Sequence, residues 1–463
     1  MAKRLVVSGA TIVVAAMVVL AVVLFSGPFK DPHARGLIDI AGNSALTKQN
    51  GIVSGTGSVS DPYVIEDWVI KPGSTETAIG IVATSAHLAI RNVTLGCDSN
   101  SIGIYVKDSS NVRIENCTVN GAALGIIVQR SDNSSVAFNK VNGIWPVSGI
   151  DIHECADCEV IGNNVSFEFP ISSSISIFNS NRTLVRANHM DVGLSIGGVV
   201  DSHFATLNVT LDNTVQGKPV LCQSGKTGLA INASALGQVY LFNCTDVEIW
   251  GMDVANTCIA VGLMKVIRAV VRDCRAANGT PEGISLRSCT DCVVSNCMLS
   301  NSSLSIYECA DCRVTGTFFA LENGRAGSSS SSNVRFDNNT FRECFCAFSL
   351  GLVDNCTIEH NTFSANELAL SFENVDHALV FNNDFIGNEQ HVLVNDYYSS
   401  SPSKITWNER YPTGGNYWSN YTVVDLFGGP DQDIPGADGI GDQPYYIDPK
   451  NNDRYPLMEP MNP

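Results

Sequence analysis

A short pattern returns along this chain with a fixed internal spacing and a variable distance between copies. Each copy opens with a small residue and an apolar-x-apolar run: Gly103-Ile104-Tyr105-Val106, Gly125-Ile126-Ile127-Val128, Gly149-Ile150-Asp151-Ile152 and Ser174-Ile175-Ser176-Ile177. It returns at Gly283-Ile284-Ser285-Leu286, Ser303-Leu304-Ser305-Ile306, Ala347-Phe348-Ser349-Leu350 and Ala369-Leu370-Ser371-Phe372. Fourteen residues after each opening residue stands a second slot, filled by Cys117, Asn139, Asn163, Asn188, Cys297, Thr317, Asn361 and Asn383. Two positions beyond it an apolar residue follows, as at Val119, Val141, Val165, Met190, Phe363 and Phe385. The copies themselves lie about 19 to 25 residues apart, so insertions gather on one side of a repeating coil.

Two short strands, an Asn-bearing turn and a variable third side make one coil of a parallel β-helix. Stacked Asn side chains would bond to one another and to the turn backbone, satisfying polar groups that would otherwise be buried without partners. The expected class is therefore all-β: a right-handed parallel β-helix, or solenoid, preceded by a transmembrane helix and closed by a small C-terminal cap.

The boundaries follow from changes in composition. Lys3 and Arg4 precede a charge-free apolar run over residues 5–25, long enough to cross roughly 30 Å of hydrocarbon. Ser26-Gly27-Pro28-Phe29-Lys30 offers no good cleavage site, which favours an uncleaved signal anchor over residues 1–28. Positive charge before the span places the rest of the chain outside, on a single-pass protein of the cell membrane with its bulk extracellular or periplasmic. Residues 29–77 read as linker and N-terminal cap, 78–405 as β-helix, and 406–463 as C-terminal cap. The register blurs between residues 211 and 272, with an insertion near 212–237, and the serine-rich stretch 324–332 reads as a flexible loop within a coil. Thirteen Asn-x-Ser/Thr sequons fit an exported glycoprotein. A net charge of −18 without a basic stripe excludes nucleic acid as a partner.

Sixteen cysteines raise three readings. Cys289, Cys292, Cys309 and Cys312 form C-x2-C-x16-C-x2-C, a spacing that suits zinc. Disulfides between adjacent coils are a second reading, since neighbouring strands lie within bridging distance. Register supplies the third. The second Cys of each CxxC pair aligns with Val112, Cys356 and Ala378, the first with Ser109, Ser131 and Ser180, so these cysteines are small buried side chains.

Outward positions of the opening strands form ladders about 4.8 Å apart, close to the repeat of a sugar chain. Tyr105, Lys107, Gln129, Phe178, Arg287 and Tyr307 compose a candidate ligand face, although an ordinary solvated sheet would carry similar residues. Asp151, His153 and Glu154 are the densest titratable cluster on it, suited to acid–base work or to a solvated turn. Asp431, Asp433, Asp438 and Asp442 lie in a Gly-rich stretch where carboxylates and tight turns suit Ca²⁺, and where Asp-Gly turns alone would give the same composition.

The tail carries the most specific resemblance. Gly414-Gly415-Asn416-Tyr417-Trp418-Ser419-Asn420-Tyr421, then Asp438-Gly439-Ile440-Gly441-Asp442-Gln443-Pro444-Tyr445 and Asp453-Arg454-Tyr455-Pro456-Leu457, resemble the ending of the NosD-type β-helix family. Gly217-Lys218-Pro219-Val220 leading to Gly237-Gln238-Val239-Tyr240-Leu241 resembles that family's interruption. The resemblance implies a copper-accessory or carbohydrate-binding and sugar-hydrolase β-helix protein. The eight histidines and eight methionines are scattered, without a soft-ligand cluster for copper. The leading expectation is non-enzymatic binding of a cell-surface or extracellular polysaccharide or other envelope component. A polysaccharide hydrolase or lyase is the alternative, and a copper-centre maturation accessory protein the second.

Overall fold

The computed structural model describes residues 33–143, 147–168, 172–279, 282–395 and 403–461. The anchor proposed for residues 1–28 lies outside them. Among the described residues no helix is long and apolar enough to cross a membrane.

The chain winds as a β-solenoid in two stacks. In the first, seven parallel opening strands run from Ile38–Ala41 through Thr77–Val82, Ile102–Lys107, Leu124–Gln129, Ser148–His153 and Ser173–Phe178 to Leu194–Gly197. In the second, nine run from Lys218–Ser224 to Gln390–Val394. Pairing begins before position 78, because Ile38–Ala41 already pairs in register with Thr77–Val82. The stretch near 212–237 is the passage between the stacks. Thr214–Val215 turns back antiparallel on Lys218–Ser224, which starts the second stack.

One strand explains how the stacks are held together. Gln238–Phe242 is buried at all five positions. Val239 and Leu241 point into the second core, while Tyr240 and Phe242, on the opposite face, belong to the first core. Tyr240 Oη donates to the Leu194 carbonyl at 2.6 Å. The Gln238 side chain accepts the Leu194 N–H at 2.8 Å and donates back to its carbonyl at 3.1 Å. Phe242 stacks on Phe204, from the short helix Ser202–Ala205, with centroids 4.9 Å apart. A strand buried on both faces loses the polar alternation by which strands are read, so the register blurs here.

The Asn ladder runs inside both stacks. Asn139, Asn163, Asn188 and Asn213 are linked by side-chain amide to Oδ1 bonds of 2.9–3.0 Å. Asn339, Asn361, Asn383 and Asn416 repeat the arrangement with bonds of the same length. Except before Asn213 and Asn416, the residue preceding each slot turns left-handed, with φ of 57° at Phe138 and 54° at His360. That conformation is unfavourable for a bulky side chain and is held by the ladder bonds that follow it.

Residues 324–332 are not a flexible loop. Arg325–Ser329 is a strand paired on both sides, with Ala326 and Ser328 buried beneath Phe348 and Leu350. The space its small side chains leave is occupied by aromatics: Phe336 and Phe348 approach to 4.2 Å between centroids. A near-parallel aromatic column, Phe319, Phe341, Phe363, Phe385 and Trp418, then leads to the C-terminal end with centroid spacings of 4.6, 4.9, 5.1 and 4.3 Å. Such pairs contribute about 0.5–1.5 kcal/mol each beyond their burial.

The tail closes the solenoid. Asp453, fully buried, accepts the Asn416 N–H at 2.7 Å, the Trp418 indole N–H at 2.9 Å and the Tyr455 N–H at 3.1 Å. A Cβ at position 415 would lie 1.8 Å from its carboxylate, so only glycine fits beside it.

Candidate ligand site at the junction of the stacks

Where the first stack ends against the second, the outward sheet face is interrupted by a cleft of about 390 Å³. Two glycines help to make it. Gly197 pairs with Phe178 and Gly262 with Tyr240 and Ser285. A Cβ at either would come within 2.5 Å of the neighbouring ring, so the floor is backbone and aromatic face.

The walls come from both stacks. Phe178 and Ser195 belong to the first; Ser285, Arg287, Ser305 and Tyr307 belong to the second, with Glu282 beside them. Ser285 and Ser305 are register neighbours, as are Arg287 and Tyr307. The Arg287 guanidinium sits over the Tyr307 ring at 5.2 Å from its centroid. Aromatic walls, hydroxyls and charged groups in one partly open depression suit a polyhydroxylated ligand with apolar ring faces.

The predicted ligand face is therefore divided. Phe178, Arg287 and Tyr307 meet at this cleft. Tyr105, Lys107 and Gln129 lie on earlier rungs outside its lining, where Tyr105 Oη donates to Gln129 Oε1 at 2.9 Å. Ser195, Glu282 and Gly262 were not singled out from sequence. Their signal is the blurred register between residues 211 and 272, which marks where the regular face is broken.

Asp151 and His153 are outward neighbours on one strand, with His153 edge-on to Phe178 at 5.3 Å. Burial raises the Asp151 carboxyl above its ordinary value, and nearby His153 opposes that. Glu154 sits in the following turn, 3.5 Å from Arg130 and 3.7 Å from His153. None of the three lines the cleft.

All sixteen cysteines are free thiols. Cys289, Cys292, Cys309 and Cys312 are brought together at one corner of the second core, at most 2% exposed. Their sulfurs face backbone carbonyls: Cys289 Sγ lies 3.4 Å from the Arg287 carbonyl and Cys309 Sγ 3.3 Å from that of Tyr307. They also face one another, Cys289 and Cys312 each against Cys292 and Cys309, and these contacts lower the Cys292 and Cys309 thiols while raising those of Cys289 and Cys312.

Among the described residues, the His/Cys/Asp/Glu group whose ligand atoms lie within 4.8 Å of one another is Asp354, Asp376 and His377, all exposed. The four acidic residues considered for calcium do not converge. Asp438 accepts the Gly429 and Ile440 N–H groups, Asp442 those of Leu426 and Phe427, and Asp431 pairs with Arg454 at 3.0 Å, while Asp433 is exposed. Backbone donors in the tail's tight turns take the carboxylate oxygens that an ion would need.

Comparison with known proteins agrees with this architecture. The family model described as right-handed beta helix region matches residues 102–261, and the model described as periplasmic copper-binding protein (NosD) matches residues 211–423. No curated protein matches the chain. Among solved structures, the A-module of the Azotobacter vinelandii mannuronan C-5 epimerase AlgE4 is 13% identical, covering 76% of this chain and 88% of that one at a TM-score of 0.24. A periplasmic alginate epimerase, AlgG, is 12% identical over 81% of this chain and 84% of its own, with a TM-score of 0.26. The Dettilon tailspike protein is 10% identical over 74% of this chain, which spans 61% of the tailspike's length, also at 0.26. Between them the two family models, right-handed beta helix region and NosD, match this chain from residue 102 to residue 423.

Proposed function

We propose that this protein binds a surface or extracellular polysaccharide at the junction cleft, without turning it over. The observation that carries the reading is the cleft itself: about 390 Å³, walled by Phe178 from one stack and Tyr307 from the other, with Ser195, Ser285 and Ser305 between them. Aromatic rings bury the apolar faces of sugar rings while hydroxyls and charged groups take their O–H groups. Glycoside hydrolysis generally needs two carboxylates across the scissile bond; the cleft lining supplies one, Glu282. The apolar run over residues 5–25 would tether the chain to the membrane, with the solenoid outside.

A glycan array probed with the full-length protein in detergent tests this, paired with reducing-sugar and unsaturated-product assays on every glycan retained. Binding without product is the expected outcome. Product release would make the protein a hydrolase or lyase. Tight Cu(I) binding with no glycan retained would replace the reading with the copper-accessory one.

A further inference from the structure

Arginines on this solenoid usually hold a carboxylate one rung away. Arg130 and Asp108, Arg182 and Asp157, Arg268 and Asp246, and Arg313 and Asp337 each meet at 2.6 Å. Arg287, like Arg113, Arg186, Arg275 and Arg325, makes no such pair among the described residues, and of these it is the one that lines the cleft. Among the described residues it has no carboxylate within 4.0 Å, although Glu282 lines the same cleft, and its stacking on Tyr307 uses none of its five N–H donors. In a chain of net charge −18, an arginine without an acid partner that lines a cleft between the stacks can take an acceptor from outside.

We infer that the cleft selects a glycan bearing an isolated carboxylate, a single uronate unit in an otherwise neutral chain, with Arg287 as the carboxylate clamp. The inference rests on the cleft being a glycan site and specifies which glycan. The planar guanidinium fork matches a carboxylate through two parallel hydrogen bonds, and it lies over the Tyr307 ring. Sugar units on either side would stack on Phe178 and Tyr307 and offer hydroxyls to Ser285 and Ser305, which are one rung apart.

Charge around the cleft sets the limit to one acid. Glu282 is in the lining itself, Glu308 follows Tyr307, and Asp151 and Glu154 stand on the rungs before Phe178. A polyuronate would place its other carboxylates against these acids. A neutral backbone with one acidic unit places none there.

Calorimetric titration of the full-length protein decides it with three probes: aldotetraouronic acid (a xylo-oligosaccharide carrying one glucuronate), its carboxyl-reduced form, and trigalacturonate. The acid form is expected to bind about tenfold more tightly than either of the others, the scale of one charge-assisted bidentate pair. Arg287→Gln should abolish the difference between the acid and reduced forms, both measured on that same variant. Arg287→Lys, with the charge but not the fork, should fall between. Equal binding of the acid and reduced forms overturns the clamp while leaving the glycan site standing, and tighter binding of trigalacturonate overturns the limit to one acid. Binding of none of the three, with a silent array, overturns the glycan reading and this inference together. Unchanged thermal unfolding of the Arg287 variants shows that the fold is intact.

Discussion

Asn361 donates its side-chain amide to Asn383 Oδ1 at 2.9 Å, and the same oxygen receives the Asn361 backbone N–H, also at 2.9 Å. One side chain on the next rung thus satisfies two donors of the rung before it. The Asn361 amide also donates to the carbonyls of Phe336 and Glu359, and its own oxygen serves Asn339 in the same way. Asn361→Ala would orphan several buried groups at once. At about 1–3 kcal/mol for each buried group left unpaired, the loss should exceed roughly 3 kcal/mol. Urea unfolding of the variant measures it, and a change below about 1 kcal/mol would show that the ladder is dispensable.

That ladder is why the fold was legible in the sequence. Positions 139, 163, 188, 361 and 383 keep a constant offset from their opening residues because the turn geometry is the same in every coil. Asn339 keeps it too, fourteen residues after Arg325. It escaped notice because Arg325-Ala326-Gly327-Ser328 lacks the apolar alternation, and the apolar contribution comes instead from Phe336 and Phe348 of neighbouring segments. Asn213 and Asn416 were hidden because the junction helix and the tail change the spacing before them. The cleft was only half legible. Outward alternation marks Phe178, Arg287 and Tyr307 as surface residues, but nothing local in the sequence says that two stacks bring them to one depression.

The cysteine columns give a second prediction. Cys356 is buried between Val334 and Ala378 on the adjoining rungs, and burial pushes its thiol up to about 12. Cys356→Val should cost less than about 1.5 kcal/mol, as volume-matched apolar exchanges do. Cys356→Ser places a hydroxyl where no partner waits and should cost about 1–3 kcal/mol. Chemical denaturation of the two variants compares them; a serine variant as stable as the valine one would contradict the apolar character of this column.

The tail makes stability depend on pH. Burial pushes the Asp453 carboxyl up to about 6, against the hydrogen bonds from Trp418 and Asn416 that favour its charged form. Its folded-state value lies above the ordinary carboxylate value of 3.8, so the folded chain holds this proton more tightly than the unfolded one. The resulting stabilisation is complete below about pH 4 and is lost as pH rises through about 6, a contribution on the order of 3 kcal/mol. Asp453→Asn cannot titrate. The melting temperature of the natural protein minus that of the variant should therefore be larger at pH 4 than at pH 7, and a difference constant across that range would contradict the assignment.

The proposed glycan site spans the two stacks at their junction. Its most direct test is the affinity of one array-selected glycan for the full-length protein and for Phe178→Ala, Tyr307→Ala and Tyr105→Ala. Phe178 and Tyr307 face the cleft from opposite stacks, whereas Tyr105 lies outside it on an earlier rung. Losing one stacked ring should weaken binding by about 1 kcal/mol or more, roughly fivefold, in each of the first two variants and leave the third unchanged. A glycan that is lost with Tyr105→Ala and retained by the other two would put the site on the first stack alone and contradict the junction cleft.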